Sequence, residues 1–257
     1  MFMAKVIYRL PRSIEDKETG RKIVLNRLEK YYVEEGKDFH FSGGFLKKTD
    51  LSKEGRVSSG KDEFALINPV FLDNYKRIKR GAQIITLKDI GPIIAYAGIT
   101  KESKVIDAGS GSGGLACYLG MVAKKVDSFD VKQENLDNSR KNADALGLKN
   151  ITFELKNVYD ESIFDYNNYD VFTLDVPEPW RAVKTAKKVL NNGGYLVAYV
   201  PNIGQVQEFV VSLPEGMILE KTLEIIEREW SISEKVSRPV TKDFSHSAFL
   251  VFVRKIF

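Results

Sequence analysis

The chain has one cysteine, Cys117, and two histidines, His40 and His246. One thiol cannot close an intrachain disulfide, and so few imidazoles and thiols cannot assemble a metal centre of their own, so no metal is expected. Cys117 falls in a stretch read as helix, where packing is the expected role. No run of 18 apolar residues exists, which excludes a membrane-spanning helix. Met1 to Arg12 carries Lys5, Arg9 and Arg12 and lacks the apolar centre of a secretory leader. The expected setting is therefore the cytoplasm, with no membrane partner. Strong charge of one sign is also missing, since the net is only +4. That small surplus is unevenly placed: residues 1–90 hold 19 basic against 13 acidic residues, whereas 91–257 hold 20 against 22. A basic amino-terminal part suggests an anionic partner there.

Four glycines in six residues follow the apolar run Val105–Ile106 and a carboxylate, Asp107. An apolar strand, a tight glycine turn and a helix present backbone N–H groups to a ligand at the carboxyl end of a first α/β strand. Gly109, Gly111 and Gly114 satisfy G-x-G-x-x-G, a short pattern that is weak alone. Two carboxylates sharpen it. Asp107 stands at the strand tip, where it would face a cationic group such as a ligand amine. Asp130 ends the next apolar run, at the interval where an acid meets a ribose diol. An adenosine end and an amino-acid end together fit S-adenosylmethionine better than a nicotinamide dinucleotide.

Short strands and turns fill residues 1–70, at Val6–Leu10, Lys22–Leu25, Phe39–Leu46 and Phe64–Ile67, with Leu25–Glu34 the one helical candidate. They predict a small β-rich domain, followed by a catalytic domain over 71–257 that begins with a basic connecting helix, Phe71–Arg80. From Lys88 onward helices and strands alternate, which predicts a parallel doubly wound sheet. The order breaks at the end, where Met217–Ile232, a polar loop over 233–245 and His246–Arg254 carry no crossover helix. Strands joined without one must be antiparallel, so a carboxyl-terminal antiparallel hairpin closes the α/β sheet. A fourth strand, Asp170–Leu174, delivers Asp175 to the ligand edge, stiffened by Pro177 and Pro179.

With DAGSGSGG (Asp107–Gly114), DVPEPW (Asp175–Trp180), KRGAQIITLKD (Lys79–Asp89), AYVPNIGQV (Ala198–Val206) and RPVTKDFSHSAFLVFVRK (Arg238–Lys255), the chain resembles, over nearly its whole length, the archaeal and bacterial tRNA adenine-N1 methyltransferases. These are class I S-adenosylmethionine enzymes with a Rossmann-like domain that act on an adenine in the tRNA T-loop, at position 58 alone or at 58 and 57 both. The resemblance implies tRNA as partner, a homotetramer, and tRNA-binding or subunit contacts in the β-rich domain. It implies cofactor contacts from Gln83, Asp107, Gly109, Gly111, Ser112, Gly113, Gly114, Leu115, Asp130, Asn135, Asn157 and Asp175, with Asp175 the catalytic carboxylate. Asp107 stands where glutamate is commoner, Asn157 where an aspartate is usual, and Thr86 where some members place an aromatic or histidine to stack on the base. Tyr199, Pro201 and Asn202, beyond the fifth strand, join Thr86 as substrate candidates. Arg238 and His246 would line the base pocket or hold phosphates, against plain roles as hairpin surface and strand start. Two rival readings stay open: a class I methyltransferase of small molecules, like the corrin-pathway enzymes, and a non-catalytic tRNA-binding subunit with the same fold.

Overall fold

A computed structural model describes residues 4–34, 36–165, 168–234, 236–241 and 246–257. The chain separates into two compact units, Met1–Ile78 and Lys79–Phe257.

In the first unit, four antiparallel strands pair in the order Glu29–Glu34, Ala4–Arg9, Asp62–Ile67, Gly55–Ser59. Alternation buries Ile7, Val33, Phe64 and Leu66, and Leu46 and Leu51 complete the core. Part of the helical candidate Leu25–Glu34 is the strand Glu29–Glu34, whose inward residues Tyr31 and Val33 follow period 2. The expected helix over Phe71–Arg80 shortens to Phe71–Tyr75, and residues 71–78 fall in this first unit. At its start the Asp73 carboxylate accepts the Val70 N–H at 3.1 Å.

The main sheet of the second unit has, among the described residues, seven strands: β1 (Lys104–Ala108), β2 (Lys125–Asp130), β3 (Ile151–Leu155), β4 (Tyr169–Leu174), β5 (Leu190–Val200), β6 (Met217–Glu224) and β7 (Phe249–Lys255). Their order is β3-β2-β1-β4-β5-β7-β6, parallel through β5, with β7 antiparallel to both β5 and β6. The helices α1 (Leu87–Tyr96), α2 (Gly114–Val122), α3 (Gln133–Ala145), α4 (Val183–Val189) and α5 (Ile203–Val211) accompany them. The doubly wound sheet with its antiparallel end is thus present. The long strand expected over Met217–Ile232 stops at Glu224, and Trp230–Ile232 pairs instead with Ser237–Pro239 inside the stretch expected to be loop.

Strand order reverses between β1 and β4, the place where open α/β sheets bind ligands. Register makes that place exact in sequence. Ala108 pairs with Phe129 on one side and with Leu174 on the other, and Leu174 pairs with Ala198. The residues that follow, Gly109, Asp130, Asp175 and Tyr199, therefore emerge together at one edge.

Candidate active site

A cavity of about 470 Å³ opens at that edge. Gly109, Gly111, Gln83, Asp130, Asn135, Asn157 and Asp175 from the sequence reading line it, with Phe129, Val158 and Tyr159 among the other walls. Gly109 has φ +93°, and a Cβ there would run into the Asp175 carbonyl. The β1 loop and the β4 turn touch backbone to backbone, which is what the first glycine permits. The Asp175 N–H donates to the Ala108 carbonyl at 2.8 Å and locks the turn to β1.

The glycine loop does not offer its N–H groups as expected. Those of Gly109 and Ser110 donate to the Phe129 carbonyl, that of Gly111 to Asp130 Oδ2 at 3.0 Å, and that of Gly113 to the Ser110 carbonyl. With these donors spent internally, the loop provides close approach rather than a phosphate cradle, which disfavours a pyrophosphate ligand. Asp130 is likewise partly committed. Its Oδ2 takes Gly111 N–H and Asn135 Nδ2, and its Oδ1 takes Lys132 N–H, so one Oδ1 lone pair remains for a ligand hydroxyl instead of two oxygens for a diol.

Asp107 does not line the cavity. It is 2% exposed, under the loop, and accepts from Ser128 Oγ at 2.7 Å and Thr173 Oγ1 at 3.1 Å. Burial pushes its pKa up to about 6. Asp175 is half-buried and, among the described residues, its carboxylate accepts no hydrogen bond. Burial first, then the charge of Asp107, push its pKa up to about 7. A carboxyl left unsatisfied at a cavity wall is set to receive a donor or a cation from a ligand.

Ser112, Gly113, Gly114 and Leu115 support the loop and are absent from the cavity wall. Gly113 caps α2 in the left-handed conformation, and Gly114 and Leu115 begin its first turn. Ser112 Oγ accepts the Gly81 N–H at 2.9 Å and donates to the Ala82 carbonyl at 2.8 Å. This fastens the segment that carries Gln83. A second fastener escaped the sequence reading: Asn142, 4% exposed on α3, donates to the Lys79 and Ser112 carbonyls at 2.9 and 2.8 Å and accepts the Lys79 N–H at 2.9 Å. A side chain thereby takes backbone groups that a helix through Lys79 would need. Asn142→Ala leaves the Lys79 N–H and the Ser112 carbonyl without this partner, while the Lys79 carbonyl keeps Asn138 Nδ2 at 3.0 Å, and should cost about 1–3 kcal/mol of stability. It should also weaken cofactor binding about tenfold by freeing Gln83. Thermal melting and calorimetric titration measure the two effects.

At Asn157 the side-chain oxygen accepts the Tyr159 N–H at 3.0 Å, leaving its NH2 group as the donor for a ligand. Tyr159, a wall residue without a motif to announce it, carries the Arg181 guanidinium 4.5 Å above its ring. Thr86 is exposed, and its hydroxyl donates to Asp89 at 2.7 Å. Asn202 caps α5 through the Gln205 N–H at 3.0 Å. The Pro201 carbonyl bonds His246 Nε2 at 2.7 Å, and His246 Nδ1 lies 2.6 Å from Glu224. These two acceptors raise the His246 pKa, Glu224 contributing most. Arg238 is on the exposed hairpin opposite Ser231. Of the substrate candidates, Tyr199 is the one adjacent to Asp175 in register, while Pro201, Asn202 and His246 form their own group. Among the described residues no cluster of three His, Cys, Asp or Glu could hold a metal, and no helix is long and apolar enough to cross a membrane.

Residues 76–242 match the family described as the tRNA methyltransferase complex GCD14 subunit. The tRNA (adenine(57)-N(1)/adenine(58)-N(1))-methyltransferase TrmI of Methanocaldococcus jannaschii is 34% identical, the match covering 92% of either chain. The crystal structure of the tRNA (m1A58) methyltransferase TrmI from Aquifex aeolicus is similar with a TM-score of 0.76 and 25% identity, over 97% of each chain. A SAM-dependent O-methyltransferase from Thermotoga maritima has a TM-score of 0.81 at 22% identity, covering 99% of this chain and 93% of its own, a likeness of fold.

Proposed function

The chain belongs to the family of tRNA (adenine-N1)-methyltransferases, and from that membership we propose that it transfers a methyl group from S-adenosylmethionine to N1 of the T-loop adenine at position 58 of tRNA. The observation that carries this reading on the chain itself is the unsatisfied Asp175 carboxylate beside a glycine turn that admits no side chain.

The cavity suits the cofactor. Apolar Phe129 and Val158 offer a surface for an aromatic base, Asp130 keeps a lone pair for a ribose hydroxyl, and the charges of Asp107 and Asp175 favour a cation. When bound, S-adenosylmethionine supplies an electrophilic methyl on a sulfonium. Gln83, Gly109, Gly111 and Asn135 would hold it, and Asn157 would donate to its adenine. Adenine N1 carries an in-plane lone pair and needs no strong base, so the protein's work is alignment. The Asp175 carboxylate accepts the target adenine's N6–H, orients N1, and opposes the positive charge that develops on the ring. Because N1 lies on the pairing edge, the base has to leave its stack to reach this carboxylate.

The surplus of 16 basic over 12 acidic residues in 1–78 supports assigning tRNA contacts to the amino-terminal unit. Subunit contacts of a homotetramer are assigned to the same unit, and the working place is the cytoplasm. Labelled methyl transfer to unmodified tRNA, followed by nucleoside analysis, tests the function. Label in 1-methyladenosine is the expected result. Cofactor binding without labelled tRNA would instead favour a small-molecule methyltransferase, and absence of cofactor binding a non-catalytic subunit.

A further inference from the structure

Asp89, in the first turn of α1, is fully buried. Its Oδ1 accepts Lys88 Nζ at 2.9 Å. Its Oδ2 accepts Thr86 Oγ1 at 2.7 Å, Ser247 Oγ at 2.8 Å and, at 3.5 Å, the Tyr199 hydroxyl. Lys88 Nζ also donates to the Ile225 carbonyl at 2.8 Å and to Ser247 Oγ. Buried ion pairs gain little stability over apolar packing, because desolvation offsets their attraction. The place of this one is therefore more informative than its strength: it ties the start of α1, the end of β5 and the residues entering β7.

What it ties at the end of β5 is Tyr199. The pairing of Leu174 with Ala198 sets Tyr199 beside Asp175, each one residue past its strand partner. Burial pushes the phenol up to about 12, and the charges of Asp89 and Asp175 both add to that shift. The Tyr199 bond is the longest on Asp89 because Oδ2 already receives two shorter ones. The phenol is thus placed between the Asp89 carboxylate and the Ser247 hydroxyl, both of which bond it.

We propose that Asp89 is a positioning residue for the target adenine, holding Tyr199 as the wall of the base pocket next to Asp175. This rests on the reading of the chain as an adenine methyltransferase. The Thr86 hydroxyl, committed to the same carboxylate, belongs to this holding arrangement.

A double-mutant cycle tests it, with kcat and KM for tRNA and Kd for S-adenosylmethionine measured on the full chain, Asp89→Asn, Tyr199→Phe and the double variant. Each single variant should lower kcat about tenfold with cofactor Kd within about twofold, since the disturbed group meets the base and not the cofactor. The double variant should stay within about twofold of Tyr199→Phe, because Asp89 acts through that hydroxyl. Multiplying losses would mean a merely structural acid, and an unchanged kcat in either single variant would also overturn the inference. Should Asp89→Asn fail to fold with the Lys88 ammonium left unpaired, Ser247→Ala takes its place in the cycle under the same criteria. Absence of methyl transfer to tRNA by the unaltered chain would defeat the functional reading and this inference together, whereas transfer with multiplying losses defeats this inference alone.

Discussion

Asp175→Ala is expected to lower methyl transfer to tRNA by about 10²–10³-fold, the loss associated with removing a preorganised electrostatic contact, while S-adenosylmethionine still binds. The glycine turn, Asp130 and Asn135 are untouched by this change, and the Asp175 N–H that locks the β4 turn to Ala108 survives as backbone. Stability should move in the opposite direction from activity. The folded chain holds the Asp175 pKa at about 7, above its ordinary 3.8. Ionising this group therefore costs folding free energy. The cost is nil below about 3.8, grows as pH rises through the interval, and is complete above about 7. Asp175→Asn removes the ionisation and should stabilise the empty protein by about 1–3 kcal/mol above pH 7, the gain fading toward pH 4. Thermal melts across pH measure it. A destabilised Asn variant at pH 8 would show that Asp175 is a structural acid.

Gly109→Ala should abolish cofactor binding, with affinity falling at least about a hundredfold, because the new Cβ meets the Asp175 carbonyl oxygen and would lie 2.9 Å from its carbonyl carbon. Backbone strain alone does not explain so large an effect. Left-handed conformation costs a side chain about 1–2 kcal/mol, and Gly147, with φ +73° and nothing within 4 Å of its Cβ position, isolates that contribution. Gly147→Ala should therefore melt slightly lower and bind cofactor normally. Equal cofactor affinity in the Gly109 and Gly147 variants, read by calorimetric titration, would remove the close approach from the account.

These two residues were legible in the sequence because local patterns announce them: an apolar run into clustered glycines, and an apolar run into Asp175 with prolines behind it. Alternation likewise made the parallel sheet readable, and the missing crossover helix made its antiparallel end readable. What sequence could not convey was long-range satisfaction of polar groups. Lys79 and Arg80 read as the end of a helix from Phe71, yet the conformation at Lys79 is held by Asn142, 63 residues away. Asp107 looks like a ligand contact at a strand tip, but Ser128 and Thr173 on neighbouring strands enclose it, and its influence on the cavity is electrostatic. Thr86 and Asn202 were singled out by position, and their polar groups serve Asp89 and the start of α5. Tyr159 became visible only once the fold brought it to the cavity, and Asp89 only once Ser247 and Tyr199 met it. For Lys79, Asp107 and Asp89 a partner far along the chain decides the role, whereas Thr86 and Asn202 are claimed by partners three residues on.

The most direct measurement is single-turnover transfer of labelled methyl to an unmodified tRNA transcript, compared with transcripts in which the adenine at 58 or its neighbour at 57 is replaced. The expected result is label as 1-methyladenosine that falls on replacing position 58 and disappears when 57 is replaced as well. Label that persists in that transcript outside the T-loop, or that is recovered on any atom other than adenine N1, would contradict it.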